Sequence, residues 1–232
     1  RSAAMGFNRL VDRNMDAANP RTANRELPRG GISPLAVKVL VLISSGVLVF
    51  AAYMLNPLWL ALSPVALGIV FLYSYSKRFT WATQLFLGVA LALAPIGAWV
   101  AVTGRLDVEI SLLGGAVLMW VAGFDVIYSC QDAEFDQQFG MYSIPQRFGV
   151  ATALMIARIF HLLAFVLMLG VGHVFGLGTI YFIGVFAVGG LLIYEHVLVR
   201  NQDLSKAGMA SLTMNGVVSV VYFVGTMADL LI

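Results

Sequence analysis

From Val39 to Ser76 the chain carries no Asp, Glu, Lys or Arg. That run exceeds the ~20 apolar residues needed for one bilayer crossing. Asn56-Pro57 places a turn signal near its middle, so it predicts two membrane helices, near 35–55 and 57–76, joined by a tight hairpin. Segments near 83–103, 108–129, 150–171, 174–197 and 207–228 meet the same requirement, which makes seven spans. Their Leu, Val and Ala runs lack the period-2 alternation of barrel strands and specify helices. Hydrophobic residues make up 60% of the chain and charged residues 11%, against roughly a quarter charged in soluble domains. The expected fold is all-α: a polytopic membrane helix bundle forming a single domain over residues 1–232.

The few charges are unevenly placed. If the spans alternate, thirteen of the fourteen Lys and Arg lie on or nearer one side and only Arg105 on the other. By the positive-inside tendency the basic side is cytoplasmic. The polar segments 17–34 and 137–149 fall on that side, whereas the opposite turns, near 56, 104–107 and 172–174, are short. The loop AANPRTANRELPRGGISP, rich in Arg, Pro and Gly, suits an ordered, turn-rich structure. A lone cysteine, Cys130, excludes an internal disulfide and reads as a small packing residue. Neither an initiator Met nor a signal peptide opens the chain, and an upstream segment is expected to be missing.

Two acidic clusters stand at the basic ends of spans. Asn8, Asp12 and Asp16 are spaced by four and share one helical face. Asp132 and Asp136 follow Asp125 by seven and eleven residues, so on one continuous helix all three project within about 20° of each other, with Glu134 on the opposite side. Each cluster is followed by a polar loop containing Arg, a weak internal symmetry that places the two carboxylate helices across a shared cavity.

Carboxylate and amide oxygens are hard ligands, and magnesium is usually held by one or two carboxylates together with substrate phosphates. Two such clusters predict a diphosphate bridged by Mg²⁺. Lys77 and Arg78, at a third basic helix end, would complete the clamp; alone they would read as interfacial anchors. Arg13, Arg21 and Arg25 are further candidates for the diphosphate.

These residues resemble the motifs of the UbiA superfamily of intramembrane prenyltransferases, specifically its 4-hydroxybenzoate polyprenyltransferase branch. The NxxxDxxxD motif is matched by Asn8, Asp12 and Asp16. The DxxYxxQDxxxD pattern is matched by Asp125, Tyr128, Gln131, Asp132 and Asp136, followed by GMYSIPQRFG, and YxxxKR by Tyr73, Lys77 and Arg78. The resemblance covers essentially the whole chain. It implies a fold of nine transmembrane helices, of which this chain would hold seven and the end of one more, lacking the first helix and most of the second.

The resemblance further implies Mg²⁺-dependent transfer of a polyprenyl group from a polyprenyl diphosphate to a small aromatic acid, in ubiquinone or menaquinone biosynthesis. The metal ligands would be Asn8, Asp12, Asp16, Asp132 and Asp136. Preorganised charge in a water-poor cavity would stabilise the departing diphosphate. Tyr73 and Tyr128 could line the allylic cation through their π-faces, and Asp125 could take the ring proton or orient the phenol. The prenyl tail requires hydrocarbon while the diphosphate requires the interface, which suits an integral protein of a bacterial inner membrane with a cytoplasmic active site. A naphthoate acceptor is the main alternative within the family.

A transporter is the alternative from another class, and it would place acids near the bilayer midplane. No phosphate-binding or dinucleotide fingerprint is present, and nucleic acid is not an expected partner. Arg158 and His161, one turn apart, are read as packing or pairing groups that snorkel. Glu195 and His196 are read as interfacial charges. His173 lies on the opposite side, and the histidines lack zinc spacing.

Overall fold

The computed structural model describes residues 1–200 and 204–232, excluding the side chains at 211 and 212. The described residues form helices and turns. Two short helices, α1 (Ser2–Val11) and α2 (Arg13–Ala18), precede the spans α3 (Pro34–Leu55), α4 (Pro57–Ser76) and α5 (Thr83–Thr103). The fourth span begins as α6 (Ile110–Ser129), passes through a 3₁₀ turn (Cys130–Asp132) and ends as α7 (Ala133–Gln138). After α8 (Ile144–Phe148) come α9 (Val150–Val174), α10 (Thr179–Leu198) and α11 (Met214–Leu231), the last preceded by a π turn (Met209–Thr213). Among the described residues seven helices are long and apolar enough to cross a membrane.

The expected hairpin is made by one residue. Asn56 ends α3 and starts α4, accepting a hydrogen bond from the Trp59 amide at 2.7 Å, while Pro57 occupies the first helical position, where a missing N–H costs nothing. The Asn56 amide also donates to the Val100 carbonyl at 2.9 Å, tying the hairpin to α5. Sequence and structure differ most at the later spans. The turn expected at 172–174 falls instead after α9, at Gly176, whose φ of 62° favours glycine. The final span starts at Met214, beyond the π turn.

Between membrane helices no hydrophobic force separates protein from lipid tails, so close approach of small residues drives packing. A Cβ on Gly88 of α5 would lie 2.5 Å from the Leu118 carbonyl oxygen of α6, and Gly184 of α10 abuts Gly225 of α11. α6 packs on both α5 and α9. Its buried Val126, Ile127 and Cys130 form a core with Ala153, Leu154 and Ala157 of α9. By contrast α3 turns Leu42, Val47, Phe50 and Met54 outward, as a lipid-facing helix does. α1 packs on α3 and α4, which holds the first acidic cluster beside the end of α4.

One expectation about polar residues in the spans is corrected. Glu195 is fully buried and not interfacial: it lies on the face of α10 turned into the bundle, 3.7 Å from Nδ1 of His161. His161 is itself buried, hydrogen-bonded to His196 at 3.1 Å, with its ring against Gly123 of α6. Arg158, one turn earlier, is exposed.

Candidate active site

Both acidic helices break at the middle member of their cluster. Asp12 separates α1 from α2 with φ −93° and ψ 5°. Asp132 ends the 3₁₀ turn before α7 with φ −102° and ψ 2°. The continuous helix expected through Asp125, Asp132 and Asp136 is therefore interrupted, yet all three still line one cavity with Asn8, Asp12 and Asp16. Its volume is about 210 Å³. Glu134 points away and is exposed.

Cations interleave the acids. Asp12, 3% exposed, receives Lys77 Nζ at 2.5 Å, Arg78 at 3.2 Å and the Asn8 amide at 3.4 Å. Arg78 grips from the flank, also donating to the Val11 and Ser74 carbonyls. Asp16 pairs with Arg25 at 2.7 Å and Arg9 at 3.5 Å. Across the cavity Arg21 binds both carboxylate oxygens of Asp132, donates to the Tyr128 hydroxyl and lies 4.7 Å over the Tyr128 ring. Burial by itself would lower the pKa of this guanidinium, but Asp132 and Tyr128 together hold it above its ordinary value.

Local chemistry explains how the loop after α2 reaches so far. Asn19 accepts from the Arg21 amide at 3.0 Å, a turn its side chain stabilises, and donates to Asp132 at 3.2 Å. Thr22 donates to the Asp16 carbonyl at 2.9 Å. On the other wall Ser143 starts α8 by accepting from the Gln146 amide and donates to Asp136 at 2.8 Å. Gln84 of α5 donates to Ser129 at 2.9 Å and accepts from the Ile144 amide at 3.3 Å. Among the described residues Asp125 alone of the five cavity aspartates has neither a hydrogen bond nor an ion pair.

Of the residues singled out from sequence for the site, Arg78 acts on Asp12 from outside the cavity wall, and Arg13 is the exception that does not reach the site. It is exposed and absent from the cavity wall, because one step beyond Asp12 a helix turns the side chain by about 100°. Tyr73 and Tyr128 both line the cavity. Arg9, Asn19, Gln84 and Ser143 were missed. Arg9 carried a usable signal, since seven residues before Asp16 is two turns on the same face; the other three are set by tertiary contacts.

The donor set fits magnesium. It consists of hard oxygens on two facing walls, and among the described residues no three carboxylates or histidines are grouped so as to hold a metal by themselves. Such a set suits an ion whose remaining ligands are phosphate and water. The cavity acids are balanced by Arg9, Arg21, Arg25 and Lys77, so the site is close to neutral before any ligand enters.

A model described as the UbiA prenyltransferase family matches residues 1–217. The 4-hydroxybenzoate octaprenyltransferase of Saccharophagus degradans is 35% identical over 235 residues, covering 100% of this chain and 77% of that protein. The apo structure of a UbiA homologue from Aeropyrum pernix K1 superposes with a TM-score of 0.91 at 31% identity, covering 99% of this chain and 85% of that one. A UbiA homologue from Archaeoglobus fulgidus, bound to DMAPP and Mg²⁺, shares the fold with a TM-score of 0.60 at 18% identity, covering 96% of this chain and 83% of that one.

Proposed function

The chain belongs to the UbiA prenyltransferase family, and from that premise we propose that it transfers a polyprenyl group from a polyprenyl diphosphate to 4-hydroxybenzoate or a closely related aromatic acid. The observation that carries this reading is the facing of two aspartate clusters across one cavity, with a cation on Asp12, Asp16 and Asp132. The Saccharophagus degradans relative supports the acceptor by its name. The bound ligands of the Archaeoglobus fulgidus homologue support a metal-bound prenyl diphosphate.

In this reading Asn8, Asp12 and Asp16 would hold Mg²⁺ from one wall and Asp132 and Asp136 from the other. When bound, the metal neutralises the diphosphate and favours its departure. Lys77, Arg78, Arg21 and Arg25 exchange their carboxylate partners for phosphate oxygens, an exchange of like charge-assisted hydrogen bonds. The allylic C–O bond breaks with its electron pair leaving on the diphosphate. Tyr73 and Tyr128 present π-faces to the allylic carbon. A ring carbon of the acceptor forms the new C–C bond, and the displaced ring proton passes to Asp125, the carboxylate left without a partner. The basic end of the bundle is the cytoplasmic end of an inner-membrane protein, and residues 1–232 act as one domain of quinone biosynthesis.

The test is a matrix of labelled polyprenyl diphosphates against 4-hydroxybenzoate and a naphthoate, run on membranes containing the protein with and without Mg²⁺. Metal-dependent labelling of 4-hydroxybenzoate is expected. Labelling of the naphthoate alone would reassign the acceptor, and no transfer to either would overturn the reading.

A further inference from the structure

A second cavity lies well away from the aspartates, on the outer surface where α9 and α10 meet. Its volume is about 800 Å³, within the roughly 300–1,000 Å³ typical of small-molecule sites. Its lining is polarised. Arg158, His161, His196 and Arg200 gather toward the end of the bundle that also carries the active site, and Leu162, Phe165, Phe186 and Gly190 continue toward its middle. Among the described residues no acidic side chain belongs to the wall: Glu195, the nearest acid on α10, is fully buried and turned toward His161.

An exposed arginine on a membrane helix calls for a counter-charge, and among the described residues Arg158 has no hydrogen-bonding or ion-pair partner. It stands eight residues into α9, about 12 Å along the axis, within reach of the headgroup layer for a long side chain. His161, 3% exposed, faces the same cavity. At Gly190 an added Cβ would meet nothing within 4 Å, whereas at Gly189 it would strike the Phe165 ring at 2.9 Å. Gly190 therefore keeps a furrow open, floored by the Phe165 and Phe186 rings packed edge to face at 5.6 Å.

We propose that this groove is a binding site for an anionic phospholipid of the surrounding bilayer. The headgroup phosphate engages Arg158 and Arg200, and one acyl chain lies in the furrow beside Gly190. The occupant follows from charge complementarity: two basic residues at the interface end and an apolar trough below them match an amphiphile with a negative head.

The test is native mass spectrometry of the purified full chain offered phosphatidylglycerol and phosphatidylcholine with the same acyl chains. A preference for phosphatidylglycerol of roughly tenfold or more is expected, the scale of two basic side chains acting on an anionic headgroup. Arg158→Gln with Arg200→Gln should erase the preference while leaving phosphatidylcholine retention unchanged. Gly190→Leu should lower retention of both lipids, with unfolding temperatures confirming that each variant is folded. Equal retention of the two lipids by the unaltered protein, indifference to the variants, or displacement of the lipid by geranyl diphosphate each overturns the proposal.

Discussion

Asp12 and Asp132 stand at equivalent points of two different helices, each breaking its helix with nearly the same backbone angles and each facing the other's cluster across one cavity. Each is also the carboxylate that engages a cation brought from elsewhere in the chain, Lys77 and Arg78 for Asp12 and Arg21 for Asp132. The sparsely populated region near φ −90°, ψ 0° recurs among active-site residues. Phe139 and Phe175 share those angles outside the cavity, so it is the facing of the two clusters across the cavity that makes both helix ends parts of one device.

Replacing either aspartate by asparagine should therefore have a similar effect. Asp12→Asn and Asp132→Asn are each expected to reduce prenyl transfer by about 100-fold or more, the scale of losing one preorganised electrostatic contact. Initial rates with saturating Mg²⁺ provide the measurement, and wild-type turnover by either variant would remove that residue from the site.

Arg21→Lys preserves the charge but not the planar fork that spans Asp132 and Tyr128. The KM for the diphosphate donor should rise about tenfold, the cost of roughly one charge-assisted hydrogen bond. Because its neighbours raise the Arg21 pKa, the guanidinium stays protonated at all working pH values. The activity profile of the native protein should then show no alkaline limb that Arg21→Lys shifts.

Asp125→Asn tests the acceptance of the ring proton. It should lower kcat by about 10²–10⁴-fold, the usual range for a general base, with the donor KM unchanged. A rise in donor KM with kcat intact would place Asp125 among the diphosphate contacts instead.

Gly88→Leu should destabilise the bundle without touching the cavity. The close approach of Gly88 to the Leu118 carbonyl leaves no room for a side chain, and the strain should cost about 1–3 kcal/mol. Thermal unfolding in detergent should show a lowered midpoint, while Gly46→Leu, where a Cβ meets nothing within 4 Å, should leave it unchanged.

The seven spans and the acidic faces were legible because hydropathy and i, i+4 spacing are local properties of the chain. A helix of about 20 apolar residues has few alternatives in a bilayer, and carboxylates one turn apart share a face wherever the helix is placed. The chemical class followed from those faces and from the motifs they match. Which cation meets which acid was decided only by the tertiary structure. Arg78 reaches Asp12 across 66 residues of chain and Asn19 reaches Asp132 across 113, while Arg13, adjacent to Asp12, turns away. Glu195 shows the same division: near a helix end it resembles an interfacial charge, but the face it occupies is turned inward once α9 and α10 pack. Charge and periodicity are written residue by residue, whereas partnership depends on where separate helices come to rest.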